Sequence, residues 1–225
     1  MGYFSEDFLA FFRELDKNNN KIWFDRNRDR YEQAVKKPFK QLVEEMIVRI
    51  YGDNPDVLIG PGEAIFRINR DIRFSKDKTP YKTHMAAMIS PGGRKAHRFP
   101  GFYFQIGKDG IRIYSGVHDI DKTSLEVIRR AIADNLHRFN KIISEKKFKT
   151  YFREIHGEKQ KRLPPEFKES LKKQPLIANK EFYVWYDLDS KFITKNDLSE
   201  ILMDVYFIAK PLLVFLTDAL QVSKT

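Results

Sequence analysis

Residues 66–82 read FRINRDIRFSKDKTPYK, a dense concentration of groups able to do chemistry. Three Arg, three Lys, two Asp, a Ser, a Thr and a Tyr stand among a few apolar anchors. Phe66, Ile68, Ile72 and Phe74 alternate with Arg67, Asn69, Asp71 and Arg73, while Arg70 falls on the apolar side. Extended backbone turns successive side chains to opposite faces, so Arg67, Asn69, Asp71, Arg73 and Ser75 are expected to share one face. A carboxylate between two guanidinium groups suits bidentate pairing. The outer forks then suit a phosphate or carboxylate ligand, with Asp71 holding them in place. Ser75 to Pro80 is turn chemistry, because Ser and Asp bond nearby backbone and Pro80 pushes Thr79 towards extended geometry.

Three roles follow from these residues. In the first, Arg67, Arg70, Arg73, Ser75, Lys78, Tyr81 and Lys82 form a pocket for an anionic small molecule, phosphorylated or carboxylated. If that pocket is catalytic, Asp71 or Asp77 is the candidate general base or orienting group. Lys78 or Arg73 would then stabilise developing charge. In the second, the basic segments 67–98 and 141–173 bind nucleic acid. That reading is not favoured, since no groove-reading or RNA-stacking motif occurs. In the third, the Arg–Asp motif is an internal ion-pair network in a structural or partner-binding protein. Such networks are common without function.

The motif resembles a known family. Asn18-Asn19-x-x-x-Trp23-Phe24 is followed by Phe66-Arg67-Ile68-x-Arg70-Asp71-x-Arg73-Phe74-Ser75-x-Asp77-Lys78-x-Pro80-Tyr81-Lys82-Thr83. Together these resemble the signature of domain-of-unknown-function family 2461, a group of mainly bacterial conserved hypothetical proteins. The resemblance continues through the Gly101–Tyr103 strand and the Leu125–Arg129 helix start. It then takes in Lys161-Arg162-x-Pro164 and Pro211-x-x-x-Phe215-Leu216. It implies a soluble single-domain α+β protein, and no activity, substrate or cofactor.

The chain has 225 residues, 41 of them Lys or Arg and 31 Asp or Glu, for a formal net charge of +10. The excess is local. Residues 67–98 carry a net +7 and residues 141–173 a net +6, while both ends are mildly acidic. The second stretch, rich in Lys, reads as a solvated face. A basic cluster attracts phosphate, nucleic acid or acidic lipid. With no cysteine, disulfide scaffolds, thiolate metal sites and thiol nucleophiles are excluded. His84, His97, His137 and His156 show no zinc spacing, and His118-Asp119-x-Asp121 is only a fragment of a metal site, so no metal is expected. No GxSxG, Walker or GxGxxG pattern occurs. Pro91-Gly92-Gly93-Arg94-Lys95 reads as a basic hairpin tip. The N-terminus lacks a basic region before an apolar run, so a soluble cytoplasmic protein without membrane contact is expected. The cofactor and the oligomeric state stay unknown at this level.

The elements that must position these groups follow from periodicity. Phe8, Leu9, Phe11, Phe12 and Leu15 give a helix after Ser5 as N-cap, ending at Asn18–Asn20. A second helix starts near Trp23, and Pro38 kinks it or begins another. Trp23 and Phe24 read as core. Met85–Ser90 is a short apolar segment, and residues 102–106 and 111–114 form a hairpin around Lys108-Asp109-Gly110. Thr123 and Glu126 match a capping box. A strand is expected at Phe182–Leu188. Thr194 with Asp197 is expected to cap a last helix to Leu220, which Pro211 should kink. The expected fold is α+β in one domain spanning 1–225: helical over 1–52, strand-rich over 63–116, and helical again over 121–225 apart from the strand near 182–188. A mainly antiparallel central sheet is covered by N-terminal and C-terminal helices.

Overall fold

The computed structural model describes residues 2–96 and 99–222; His97 and Arg98, both counted above, lie outside them. Four strands, β1 (His84–Ile89), β2 (Gly101–Gly107), β3 (Gly110–Val117) and β4 (Phe182–Leu188), form one antiparallel sheet in the order β1-β2-β3-β4. Helices precede and follow the strands, so the fold is α+β. Gly110, with φ +115°, turns the β2–β3 hairpin where a side chain would be strained. By packing, the chain divides into two compact units. One holds residues 1–95, 103–113 and 187–203, and the other holds 96–102, 114–186 and 204–225.

In the first unit, α1 (Glu6–Lys17) buries Phe8, Leu9, Phe11, Phe12 and Leu15. Ser5 stands at its N-cap, but its hydroxyl makes no capping bond. The three asparagines that follow do three separate jobs. Asn18 caps α1 and donates from Nδ2 to the Glu14 carbonyl. Asn20 accepts from the Trp23 N–H at 3.0 Å and starts α2 (Lys21–Arg26). Asn19 reaches to Tyr81, as described below. Phe24 is buried and Trp23 half-buried against Phe11, in keeping with a core role. A short turn α3 (Arg28–Arg30) leads into a π-helical stretch, Tyr31–Lys36, and then α4 (Lys37–Asp53). Pro38 thus opens α4, where its missing N–H costs nothing. The loosened π turn just before it absorbs the change in register. A one-turn α5 (Pro61–Ala64) precedes the motif.

In the second unit, α6 (Lys122–Asp134) is capped by Asp121 rather than Thr123. The Asp121 carboxylate accepts from the Ser124 N–H at 2.9 Å and the Ser124 hydroxyl at 3.0 Å. A carboxylate next to the first free N–H groups is as good a cap as a hydroxyl and also suits the helix dipole. The basic stretch forms α7 (Leu136–Ser144), α8 (Lys146–Phe152) and α9 (Lys168–Lys173). Between α8 and α9, residues 156–160 run antiparallel to 178–183, with His156 N–H on Tyr183 carbonyl and Gln160 N–H on Ala178 carbonyl, both at 2.7 Å. The sequence pattern showed no such pairing, because the arm lacks apolar alternation.

The last helix, α10 (Leu198–Val222), begins directly after Asp197 and runs on through Pro211. Pro211 lacks the N–H that would bond the Phe207 carbonyl one turn earlier. Among the described residues no helix is long and apolar enough to cross a membrane.

Candidate functional site

The motif is an arm attached to β1, within the first unit. Phe66 N–H bonds the Ala86 carbonyl at 2.9 Å, Lys82 N–H the Ile68 carbonyl at 2.8 Å, and Arg70 N–H the Pro80 carbonyl at 2.8 Å. Residues 66–70 therefore run antiparallel to 80–86, with a loop over 71–79 at the tip. Buried Ile68 and Tyr81 anchor the arm. The extended pairing stops at Arg70, which is shorter than the alternation to Phe74 suggests. Phe74 is 95% exposed, so the last apolar position has nothing to bury against.

Arg70 is the brace of the loop. Its guanidinium donates to the Asp77 carboxylate and the Thr79 hydroxyl, and more loosely to Ser75 Oγ at 3.4 Å. Asp77 also accepts the Thr79 N–H and hydroxyl, each at 2.9 Å. The Thr79 N–H first, and Arg70 next, hold the Asp77 carboxyl down at about 2. Asp71 grips Arg73 through two bonds, at 3.0 and 2.7 Å, and accepts the Arg73 N–H at 3.2 Å. The Arg73 side chain is the main reason that the Asp71 carboxyl also lies at about 2. Lys78 Nζ donates to the Ile72 carbonyl at 2.9 Å.

Tyr81 faces inwards. Its ring stacks on Phe24 with centroids 4.1 Å apart, and the Asn19 amide bonds both its N–H and its carbonyl. The Asn and aromatic pieces of the motif, far apart in sequence, therefore meet here.

Two cations are placed differently. Arg67 is exposed and, among the described residues, makes no hydrogen bond or ion pair. Lys82 is half-buried, also without a carboxylate partner, and its Nζ lies 5.4 Å from the centre of the Phe66 ring. Burial, and then the charge of Arg67, push the Lys82 ammonium below its ordinary range. Phe66 packs edge-on against Tyr103, whose hydroxyl donates to Gln105 at 2.9 Å.

Beside Lys82 stands His84, at the start of β1. Burial, and next the Lys82 charge, lower its imidazole to about 4, against a small opposing pull from Asp109. In the sequence His84 stands at no zinc-ligand spacing from the other histidines. Its i, i+2 relation to Lys82 on extended backbone was the available signal. Among the described residues no group of three or more His, Asp or Glu could hold a metal ion.

The segment thus separates into a braced tip, built on Arg70, Asp77, Asp71 and Arg73, and a pair of cations at its base that make no ion pair among the described residues. An α+β scaffold of one antiparallel sheet flanked by helices, with a basic arm on its edge strand, defines the class of protein. The chain belongs to the family described as Conserved hypothetical protein (DUF2461), whose pattern matches residues 7–215. No curated protein and no solved structure matches it.

Proposed function

We propose that the base of this arm binds a small phosphorylated or carboxylated molecule, with Arg67 and Lys82 as its ligands. One observation carries the reading: two neighbouring cations, one of them half-buried, make no ion pair among the described residues, and Asp71 acts on Arg67 only through space. Holding like charges together out of water costs free energy, and a bound anion reverses the sign of that cost. Arg67 supplies a planar fork of donors and Lys82 a point charge. The Arg70–Asp77–Thr79 network braces the tip loop of the same arm. Asp71 and Asp77, at about 2, are weak bases at neutral pH. Binding is therefore a better reading of the arm than acid–base catalysis by either carboxylate.

The test is isothermal titration against phosphorylated and carboxylated metabolites at about 50 mM salt, where charge contacts are little screened. A specific anion should bind, and Arg67→Ala or Lys82→Met should each weaken it about 10-fold or more, as expected for a charge-assisted contact. A panel with no binder, or a binder indifferent to both substitutions in folded protein, would overturn the reading.

A further inference from the structure

A separate cavity lies in the second unit. It is a half-open cleft of about 480 Å³, in the range of small-molecule sites. One wall is a single face of α6: Lys122, Leu125, Glu126 and Arg129 stand at i, i+3, i+4 and i+7. The other wall is Gln160, Arg162, Leu163 and Pro164, brought there by the arm that pairs with 178–183.

Arg129 is the unusual member. It is only 2% exposed, yet it has no carboxylate partner among the described residues. Its Nε donates to the Ile177 carbonyl at 2.9 Å and its Nη2 to the Asn179 carbonyl at 3.1 Å. Those bonds use one edge of the guanidinium plane. The Nη1 group carries no hydrogen bond among the described residues, although Arg129 lines the cavity. A buried charge without a counter-charge is costly, and side chains whose task is only to tie two carbonyls together need no net charge. Burial pulls the guanidinium below its ordinary range, and Glu126 offsets this in part. Lys122 and Arg162, also on the lining, make no ion pair among the described residues either. Three cations against Glu126 leave the cavity formally at +2.

We infer that this cavity is a second, independent ligand site that takes a small organic anion. The ligand's carboxylate or phosphate head would meet the free end of the Arg129 fork, with Arg162 and Lys122 at the rim. Its apolar part would lie on Leu125, Leu163 and Pro164. A fixed fork held by two backbone carbonyls is pre-organised for a planar or tetrahedral oxyanion, which is what makes Arg selective for such groups. Glu126, half-buried on the same wall, repels ligands with charge spread along their length. This favours one anionic end and one apolar end.

The probes are phenyl phosphate and benzoate, with inorganic phosphate for the head alone and benzyl alcohol for the body alone. Titration followed by amide and guanidinium NMR signals should show saturable binding of at least one aromatic anion. Inorganic phosphate should bind about 10-fold more weakly and benzyl alcohol more weakly still, since head and body each contribute. Which aromatic anion binds better separates a phosphate site from a carboxylate site. Arg162→Ala, at an exposed position, should weaken binding about 5- to 10-fold with no change in melting temperature. Arg129→Lys, which keeps the charge and loses the fork, should weaken binding by a similar factor and also lower the melting temperature, because it frees the Ile177 and Asn179 carbonyls. Failure of both anions to saturate at about 10 mM would overturn the inference, because ligands this small retain measurable affinity for a built site. So would binding that both variants leave unchanged, or binding that Arg67→Ala abolishes.

Discussion

The side-chain amide of Asn19 stands in for a strand against Tyr81. Its Nδ2 donates to the Tyr81 carbonyl at 2.9 Å and its Oδ1 accepts the Tyr81 N–H at 3.1 Å. Tyr81 bridges Asn69 on one side, so this amide completes its backbone pairing on the other. Phe24, about one turn after the asparagines, stacks on the Tyr81 ring. The N-terminal turn thereby fixes the returning limb of the basic arm. Asn19→Ala leaves two part-buried backbone groups without partners and should cost about 1–3 kcal/mol in urea unfolding. Asn19→Asp should cost at least as much as Ala, because a carboxylate oxygen would face the Tyr81 carbonyl. An Asp variant as stable as the parent would show that the pairing carries no weight.

Arg70 and Asp77 predict how the loop responds to acid. Both Asp71 and Asp77 have carboxyl groups held near 2, below the unfolded value of about 3.9. Their contribution is therefore fully present above about pH 4 and is lost as pH falls through about 2. Carboxyl-carbon NMR should give midpoints near 2 for both. Arg70→Ala should raise the Asp77 midpoint only in part, since the Thr79 N–H is the larger cause. Arg73→Ala should raise the Asp71 midpoint by the larger amount, since that side chain is its largest cause, while the N–H bond from position 73 persists. Equal shifts in the two variants would contradict this division of labour.

Much of this architecture was legible because apolar spacing reports burial directly. The stripe from Phe8 to Leu15, the hairpin about Gly110 and the strand Phe182–Leu188 each follow from alternation or helical period. The arm was legible only in part. Alternation from Phe66 to Phe74 suggests a strand to its end, but a strand persists only while a partner is there to pair. Beyond Arg70 the backbone turns to the tip loop, and Phe74 is left in solvent. Which cation of the motif would be bound up was not legible, since pairing depends on loop geometry. Arg70, on the apolar side of the alternation, is the one enclosed by Ser75, Asp77 and Thr79. Arg129 reads as an ordinary helical Arg because nothing in one sequence marks a position that faces a wall formed by a distant segment. His84 is hidden in the same way, because its burial comes from packing that local sequence does not mark.

His84 gives a second pH prediction, of larger consequence for stability. Its imidazole is mostly buried and titrates at about 4, against about 6.5 when unfolded. A base whose folded pKa is depressed binds its proton more readily in the unfolded chain. Its stabilising contribution is therefore complete above about pH 6.5 and is lost as pH falls towards 4. The loss is on the order of 2–3 kcal/mol over that window, from the linkage relation. His84→Gln should flatten the stability–pH curve between 4 and 6.5 without altering the acid limb near pH 2. An unchanged slope would place the histidine in a more hydrated setting than its burial implies.

Gly107 ends β2 directly against the start of β1, and its size is a requirement of the site. A Cβ there would collide with the Thr83 carbonyl oxygen and with the backbone of His84. Backbone cannot swing aside as a flexible side chain can, so β1 would have to shift away where Lys82 and His84 are held. Gly107→Ala should cost about 2 kcal/mol or more, in line with overpacking a close-packed site. It should also raise the His84 midpoint from about 4, because the separation of β1 from β2 admits water. Gly52→Ala is the control. It lies within α4, nothing stands within 4 Å of the added Cβ, and helical propensity favours Ala. That variant should be neutral or more stable by up to about 1 kcal/mol, with His84 unmoved. Urea unfolding and histidine NMR on the two variants separate the readings. If both alanines behave alike, close approach at Gly107 is not what sets the position of β1 beside the basic arm.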